Sequence, residues 1–121
     1  MTKKILVLGG SGFLGSHVAD ALTNYGYKVI VADKKKSQWI NKNQIFKTCD
    51  IKNNKHLEKL TKGMHAVFNF AAIADLETSL DNPIETVETN ILPVVNLLKI
   101  CKKNKVKRFV QASTVYVGGA Y

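Results

Sequence analysis

Hydrophobic residues along the chain fall into short continuous runs that alternate with amphipathic segments. Continuous apolar runs of this length are typical of strands that are buried on both faces of a sheet. Five runs predict such strands: 4–9 (KILVLG), 28–33 (KVIVAD), 44–50 (QIFKTCD), 65–72 (HAVFNFAA) and 106–113 (VKRFVQAS). The segments between them predict helices over 13–25, over 53–62 and from residue 83 onward.

This alternation predicts the fold class. Strands that alternate with helices pair in parallel through right-handed crossovers. We therefore predict an α/β chain, with a doubly wound parallel sheet of about five strands and helices on both faces. The length of 121 residues suits one such domain, 1–121.

Two helices carry clear apolar faces. The first is predicted to turn Leu14, Val18, Ala21, Leu22 and Tyr25 inward. The long helix begins at Asn82 and Pro83, with the apolar stripe Ile84, Val87, Ile91, Val94, Val95, Leu98 and Cys101. Pro93 lies within this helix and frees the carbonyl of Thr89. That carbonyl either holds an ordered water or only marks a kink that fits the helix to the sheet.

Composition narrows the classes of partner. The formal net charge is +9, but 17 of the 18 basic residues are lysines spread along the chain, and only Arg108 is arginine. This pattern favours a solvated lysine-rich surface over nucleic-acid recognition. No run is long enough to cross a membrane, and the cysteines Cys49 and Cys101 indicate reduced thiols in the cytoplasm. The histidines show no metal-ligand spacing, so no metal site is predicted.

Three glycines stand where the first strand passes into the first helix. In a Rossmann-type fold this turn faces a dinucleotide pyrophosphate, which binds at the helix N-terminus. Gly9, Gly12 and Gly15 can make the turn, admit the pyrophosphate and allow close packing, although Gly10, Gly12 and Gly15 also fit the required spacing. The predicted cofactor site includes the adjoining Phe13 and Leu14.

An acidic residue at the end of the second strand bears on the choice of cofactor. Asp33 lies 18 residues beyond Gly15 and can accept hydrogen bonds from the adenosine ribose. It would repel a 2′-phosphate, so NAD is predicted rather than NADP, although Lys34, Lys35 and Lys36 could screen a phosphate. The alternative is a solvated turn residue.

Four further motifs follow along the chain: "CDI", "VFNFAAIA", "ETNILPVVNLLKICKKNKVKRFV" and "ASTVY". Together with the glycines and Asp33, they resemble the extended short-chain dehydrogenase/reductase family. This is the NAD-dependent epimerase/dehydratase group, which acts largely on nucleotide sugars. The resemblance covers essentially the whole chain and matches the amino-terminal half of such enzymes. It implies a fold truncated relative to the family, without the substrate domain.

The resemblance also implies roles for individual residues. Asp50 and Ile51 match the adenine contact, although Asp50 also suits a helix cap, and Ala71 and Ala72 match small residues that line the cofactor or simply pack tightly. Asn90 matches the helix asparagine near the active site. Thr114 falls at the catalytic hydroxyl, with Ser113 in that place in an alternative register.

One part of the family's machinery has no match in this sequence. The catalytic base of the family is a tyrosine followed four residues later by lysine, and none of Tyr25, Tyr27 and Tyr116 is followed in this way, while Tyr121 is the last residue. Binding of NAD is therefore expected, and catalysis by this chain alone is not. The parent activity implied is hydride transfer between a sugar hydroxyl and NAD, and the alternative is a non-catalytic dinucleotide sensor. The resemblance leaves the oligomeric state open: many relatives form homodimers through helices, and an exposed edge strand of a truncated sheet could also pair.

Overall fold

A computed structural model of the chain describes residues 1–119. Tyr121, considered above among the tyrosines, lies outside the described residues. Within the described part of the chain, no helix is long and apolar enough to cross a bilayer.

The five predicted strands form one parallel sheet. Their bounds are β1 Lys4–Leu8, β2 Lys28–Asp33, β3 Ile45–Thr48, β4 Ala66–Asn69 and β5 Arg108–Gln111. The order across the sheet is β3-β2-β1-β4-β5, so the direction of winding reverses between β1 and β4. Leu8 pairs with Ala32 on one side and with Asn69 on the other, which brings the ends of three strands to one edge. A reversal of this kind opens a crevice at the carboxyl ends of the strands.

Helices cover both faces of the sheet, which confirms the predicted class. They are α1 Phe13–Asn24, α2 Asn54–Thr61, α3 Leu76–Asp81, α4 Pro83–Asn90 and α5 Leu92–Lys103, followed by a 3₁₀ turn at Val115–Gly118. Alternate residues of β1 separate the two halves of the core: Leu6 and Leu8 pack with residues of α2 and α5, whereas Ile5 and Val7 pack with Ala19 of α1.

The prediction of which α1 residues face the core is largely wrong. Its buried residues are Gly15, Ser16 and Ala19, while Leu14 is 60% exposed and Tyr25 is 84% exposed. Small residues face the sheet because the helix start lies so close to the preceding loop that a Cβ at Gly15 would lie 2.3 Å from the carbonyl oxygen of Gly9.

The predicted long helix is divided at Ile91. This residue ends α4, and its carbonyl accepts hydrogen bonds from the Val94 and Val95 N–H groups in the first turn of α5. Pro93 therefore lies in a first helical turn, where a missing N–H removes no helical hydrogen bond. The α5 residues that face the core are Pro93, Leu97, Ile100 and Cys101.

Much of the predicted apolar stripe lies on the outside of the molecule. We call its exposed members the outer stripe: Ile84, Val87, Ile91, Val95 and Leu98. They recur at intervals of three or four residues, so Ile84, Val87 and Ile91 share one side of α4, and Val95 and Leu98 share one side of α5.

Candidate functional site

A cleft of about 260 Å³ opens at the edge of the sheet where the winding reverses. It lies among the ends of β1, β2, β3 and β4 and the helix α4. The residues that line it are Gly9, Gly12, Asp33, Lys34, Cys49, Ile51, Phe70, Ala71, Ala72, Ile73, Glu85 and Thr89. Six of the predicted cofactor residues are among them.

The structure assigns separate tasks to the glycines. Gly9 has φ +72°, in the left-handed region, and a Cβ there would lie 2.6 Å from the main-chain nitrogen of Ala71. Gly10 packs against Val31, whose Cγ1 would be 2.5 Å from a Cβ at residue 10. Gly15 lies under the Gly9 carbonyl, as described above. These three glycines are therefore required by the packing of the chain itself.

Gly12 is different. A Cβ built there meets only the Gly9 carbonyl oxygen, at an ordinary 3.4 Å, and its φ of −78° suits any residue. Gly12 is also the N-cap of α1, where a Ser, Asp or Asn side chain would satisfy a free N–H. With no cap side chain, the first N–H groups of α1, including those of Phe13 and Leu14, are left without helical acceptors. The bare main chain at Gly12 faces the cleft and suits an anion.

Asp33 lies beside this loop at the end of β2. Its Oδ2 accepts a hydrogen bond from the Ser11 N–H at 3.0 Å, and its Oδ1 accepts one from the Lys34 N–H at 2.7 Å. Each carboxylate oxygen has a second lone pair, so Asp33 can still accept hydrogen bonds from a diol in the cleft.

The far end of the cleft is formed by residues that follow β3. Ile51 is buried and presents an apolar surface. The Asp50 carboxylate accepts a hydrogen bond from the Lys52 N–H at 2.9 Å and lies 3.9 Å from the Lys34 ammonium. Cys49 also lines the cleft, and burial, with a smaller effect of Asp50, raises the pKa of its thiol to about 11.

The opposite wall of the cleft is main chain after β4, which side-chain hydrogen bonds fix in place. Asn69, fully buried at the end of β4, accepts a hydrogen bond from the Ala71 N–H at 3.1 Å and donates one to the Gln111 side chain at 2.9 Å. Ile73 is held at both its N–H and its carbonyl by Asn90. Ala71 and Ala72 thus form a fixed, small-residue wall opposite Gly9.

The model of the NAD dependent epimerase/dehydratase family matches residues 5–121. The chain belongs to this family. Among curated relatives, it is 35% identical to a putative UDP-glucose 4-epimerase of Methanocaldococcus jannaschii, over 96% of this chain and 38% of the relative. It is 34% identical to a UDP-N-acetyl-alpha-D-glucosaminuronate decarboxylase of Bacillus cytotoxicus, over 98% of this chain and 39% of the relative.

Solved structures of family members have the same fold. The chain superposes with a TM-score of 0.87 on the UDP-glucose 4-epimerase of Thermotoga maritima, solved with UDP-glucose, at 37% identity over 92% of this chain and 38% of that one. The enzyme of Thermus thermophilus, solved with NAD, gives a TM-score of 0.85 at 32% identity, over 92% and 37% of the two chains. The chain therefore spans under two fifths of the length of these relatives.

Four further predicted site residues do not line the cleft: Phe13, Leu14, Ser113 and Thr114. Thr114 caps the 3₁₀ turn, where its hydroxyl accepts a hydrogen bond from the Tyr116 N–H at 3.3 Å, and Ser113 beside it is exposed. The side chains of Phe13 and Leu14 are exposed, and the Phe13 ring packs edge-on against His17. Only main-chain groups of Phe13 and Leu14 are placed to serve a ligand at Gly12.

Several residues that line the cleft were not predicted from the sequence. Glu85 and Thr89 lie one turn apart on α4 and both reach the cleft. The one available signal was their spacing of four residues, which places both on the same side of a helix.

Proposed function

We propose that this chain binds NAD in the cleft and is the dinucleotide-binding part of an epimerase/dehydratase-type oxidoreductase. The observation that carries the proposal is Gly12, whose lack of a side chain the packing of the chain does not require. A side chain at this position would stand over the first N–H groups of α1. A bound pyrophosphate explains both the bare main chain and the missing helix cap.

The remaining lining residues fit the rest of a dinucleotide. Asp33 would accept hydrogen bonds from the adenosine ribose, Ile51 would contact the adenine, and Ala71 and Ala72 would lie along the second nucleotide. Asp50, which adjoins Ile51 outside the lining, would contact the adenine from the rim of the cleft. Bound NAD supplies a hydride acceptor. Thr114 or Ser113 would hold a substrate hydroxyl, while Asn90 keeps the wall at Ile73 in place.

The proposed substrate class is a nucleotide sugar, and the proposed reaction is hydride transfer between a sugar hydroxyl and NAD. Support comes from the relatives, whose names include UDP-glucose 4-epimerases and a UDP-sugar decarboxylase. The proposed compartment is the cytoplasm, in keeping with two cysteines that are both unpaired and buried.

The proposal extends to self-association through the outer stripe. Five apolar side chains at helical spacing are exposed along one side of each of α4 and α5. Apolar faces with this spacing pack against a partner helix when one is available. A second copy of the chain brings an identical face.

Calorimetric titration with NAD tests the cofactor site through Gly12→Val. The valine side chain would cover the anion-binding main chain, so we expect NAD affinity to fall by at least about tenfold. Ala21→Val adds the same side chain at an exposed position of α1 outside the lining of the cleft, so this control should bind NAD as the wild type does. Equal affinity of the Gly12→Val and wild-type proteins would refute the proposal.

A further inference from the structure

The hydroxyl of Ser11 ties the glycine loop to a distant turn of the chain. Its Oγ donates a hydrogen bond to the Lys35 carbonyl at 2.6 Å and accepts one from the Ser37 N–H at 3.2 Å. The main-chain N–H of the same residue donates to Asp33. Ser11 is therefore bonded on three sides to the segment that ends β2 and follows it.

We call residues 34–37 the lysine turn, because Lys34, Lys35 and Lys36 precede Ser37. The turn contains no helix or strand, so its shape depends on such anchors. Its continuation is fixed separately, where Asp20 of α1 accepts hydrogen bonds from the side chains of Asn41 and Gln44. Ser11 is the side chain that holds the middle and the end of the turn, at Lys35 and Ser37.

The anchored turn keeps most of its positive charge outside the cleft. Lys34 lines the cleft but its ammonium is directed towards Asp50, at 3.9 Å. Lys35 and Lys36 are exposed and do not line it. The Lys35 carbonyl, rather than its side chain, is bonded to the glycine loop.

This arrangement bears on how two closely related dinucleotides are distinguished. NADP differs from NAD by a phosphate on the adenosine ribose, which carries a charge of roughly −2 at neutral pH. Asp33 repels that phosphate, whereas freely moving lysines would attract it. The preference for NAD over NADP therefore depends on whether the turn keeps its lysine side chains away from the adenosine ribose.

We propose that Ser11 is a specificity-determining residue, whose hydroxyl fixes the lysine turn so that Asp33, and not the ammonium groups of Lys35 and Lys36, faces the adenosine ribose. The inference rests on the proposed binding of NAD. It adds a role for a side chain that neither lines the cleft nor touches the cofactor.

The test measures the dissociation constants for NAD and NADP by calorimetry. Ser11→Ala keeps the main-chain bond to Asp33 and removes only the hydroxyl. We expect the preference for NAD over NADP to fall by roughly three- to tenfold, as suits the loss of hydrogen bonds made by one hydroxyl. Ser11→Thr retains a hydroxyl and should keep more of the preference than Ser11→Ala. Asp33→Ala removes the carboxylate itself and should narrow the preference at least as far.

A second readout needs no cofactor. Trypsin cuts after lysine, and we expect Ser11→Ala to be cleaved within the lysine turn several-fold faster than the wild type at equal fold stability. Ser79→Ala is the matched control, because its hydroxyl also donates to a main-chain carbonyl, that of Asp75, on α3. It should change neither the cofactor preference nor cleavage in the turn.

The possible outcomes separate the two proposals. If the wild type binds neither dinucleotide, the proposed function fails and the cofactor role of Ser11 fails with it. If the wild type binds NAD and Ser11→Ala keeps the same preference, or the same rate of cleavage in the turn, only the role of Ser11 is overturned.

Discussion

Asn90 of α4 holds the main chain of Ile73 through both ends of its carboxamide. Its Oδ1 accepts a hydrogen bond from the Ile73 N–H at 2.7 Å, and its Nδ2 donates one to the Ile73 carbonyl at 2.8 Å. The two residues are 17 positions apart, so the pair joins the wall of the cleft after β4 to the helix that faces it. Asn90 therefore acts on the cleft by positioning its wall.

Asn90→Ala removes both bonds and leaves the Ile73 amide groups without these partners. We expect the free energy of unfolding to fall by about 1–3 kcal/mol. NAD affinity should fall as well, because Ala71 and Ala72 adjoin Ile73. Urea unfolding and calorimetry measure the two effects. Asn96→Ala, on α5 and outside the lining of the cleft, is the control; equal losses in both variants would contradict a positioning role.

Alanine should affect stability much more at Gly15 than at Gly12. Gly15→Ala places a Cβ 2.3 Å from a carbonyl oxygen, so we expect a loss of at least about 2 kcal/mol of stability. Gly12→Ala meets only an ordinary contact and should cost less than about 1 kcal/mol, while weakening NAD binding. Urea unfolding of the two variants, side by side, provides the measurement. A larger loss at Gly12 than at Gly15 would be incompatible with the described packing.

The two buried thiols should make the fold sensitive to alkaline pH. Burial raises the pKa of Cys101 to about 11, and burial with Asp50 does the same for Cys49, against an ordinary value of 9.0. Between about pH 9 and pH 11 the unfolded chain loses these protons while the folded chain keeps them, so stability falls as the pH rises. Unfolding of the Cys49→Ala/Cys101→Ala variant should show a shallower decline over this range than the wild type. Parallel curves would show that the thiols do not titrate as described.

Self-association can be measured by sedimentation equilibrium. A lysine at Ile91, in the centre of the outer stripe, would place a charge in the proposed contact, so Ile91→Lys should weaken dimers by at least about tenfold. Ile91 is 58% exposed, so we expect this substitution to leave the fold intact, as circular dichroism can check. Tyr25→Lys, at an exposed apolar residue after α1, is the control. A monomeric wild type at high concentration would remove the outer stripe from the proposal.

The central strands β1, β2 and β4 could be predicted from the sequence because each carries enough apolar residues to be buried on both faces. The edge strands β3 and β5 bury none of their residues and were predicted from shorter apolar runs. The ends of the strands were less predictable. The apolar run of β4 continues to Ala72, but the sheet pairing ends at Asn69, whose side chain takes up the next N–H, that of Ala71. Those last residues leave the sheet to form the wall of the cleft, and hydrophobicity does not distinguish the two environments.

The helices show where hydrophobicity misleads. Large side chains dominate any apolar face drawn for α1, yet the close approach to the Gly9 loop requires Gly15, Ser16 and Ala19. No apolar pattern predicts α3, because this helix buries none of its residues. A local signal was present: Asp75 accepts hydrogen bonds from the Thr78 N–H and hydroxyl, as an N-cap does.

The candidate site divides in the same way. Its glycines and Asp33 stand close together in the sequence and carry a recognisable spacing, so they could be identified without a structure. The position of α4 over the sheet brings Glu85 and Thr89 to the cleft and allows Asn90 to form hydrogen bonds with Ile73. That placement follows from tertiary packing and leaves little trace in local sequence.

The residue at position 12 should also indicate whether a related chain has kept its dinucleotide during evolution. Because folding tolerates a side chain there and the proposed ligand does not, a lineage that abandons its dinucleotide loses the only constraint on this codon. Descendants of that kind would accumulate alanine or serine at position 12 while retaining glycine at 9 and 15. A pseudoenzyme of this fold would then be recognisable from one letter of its gene.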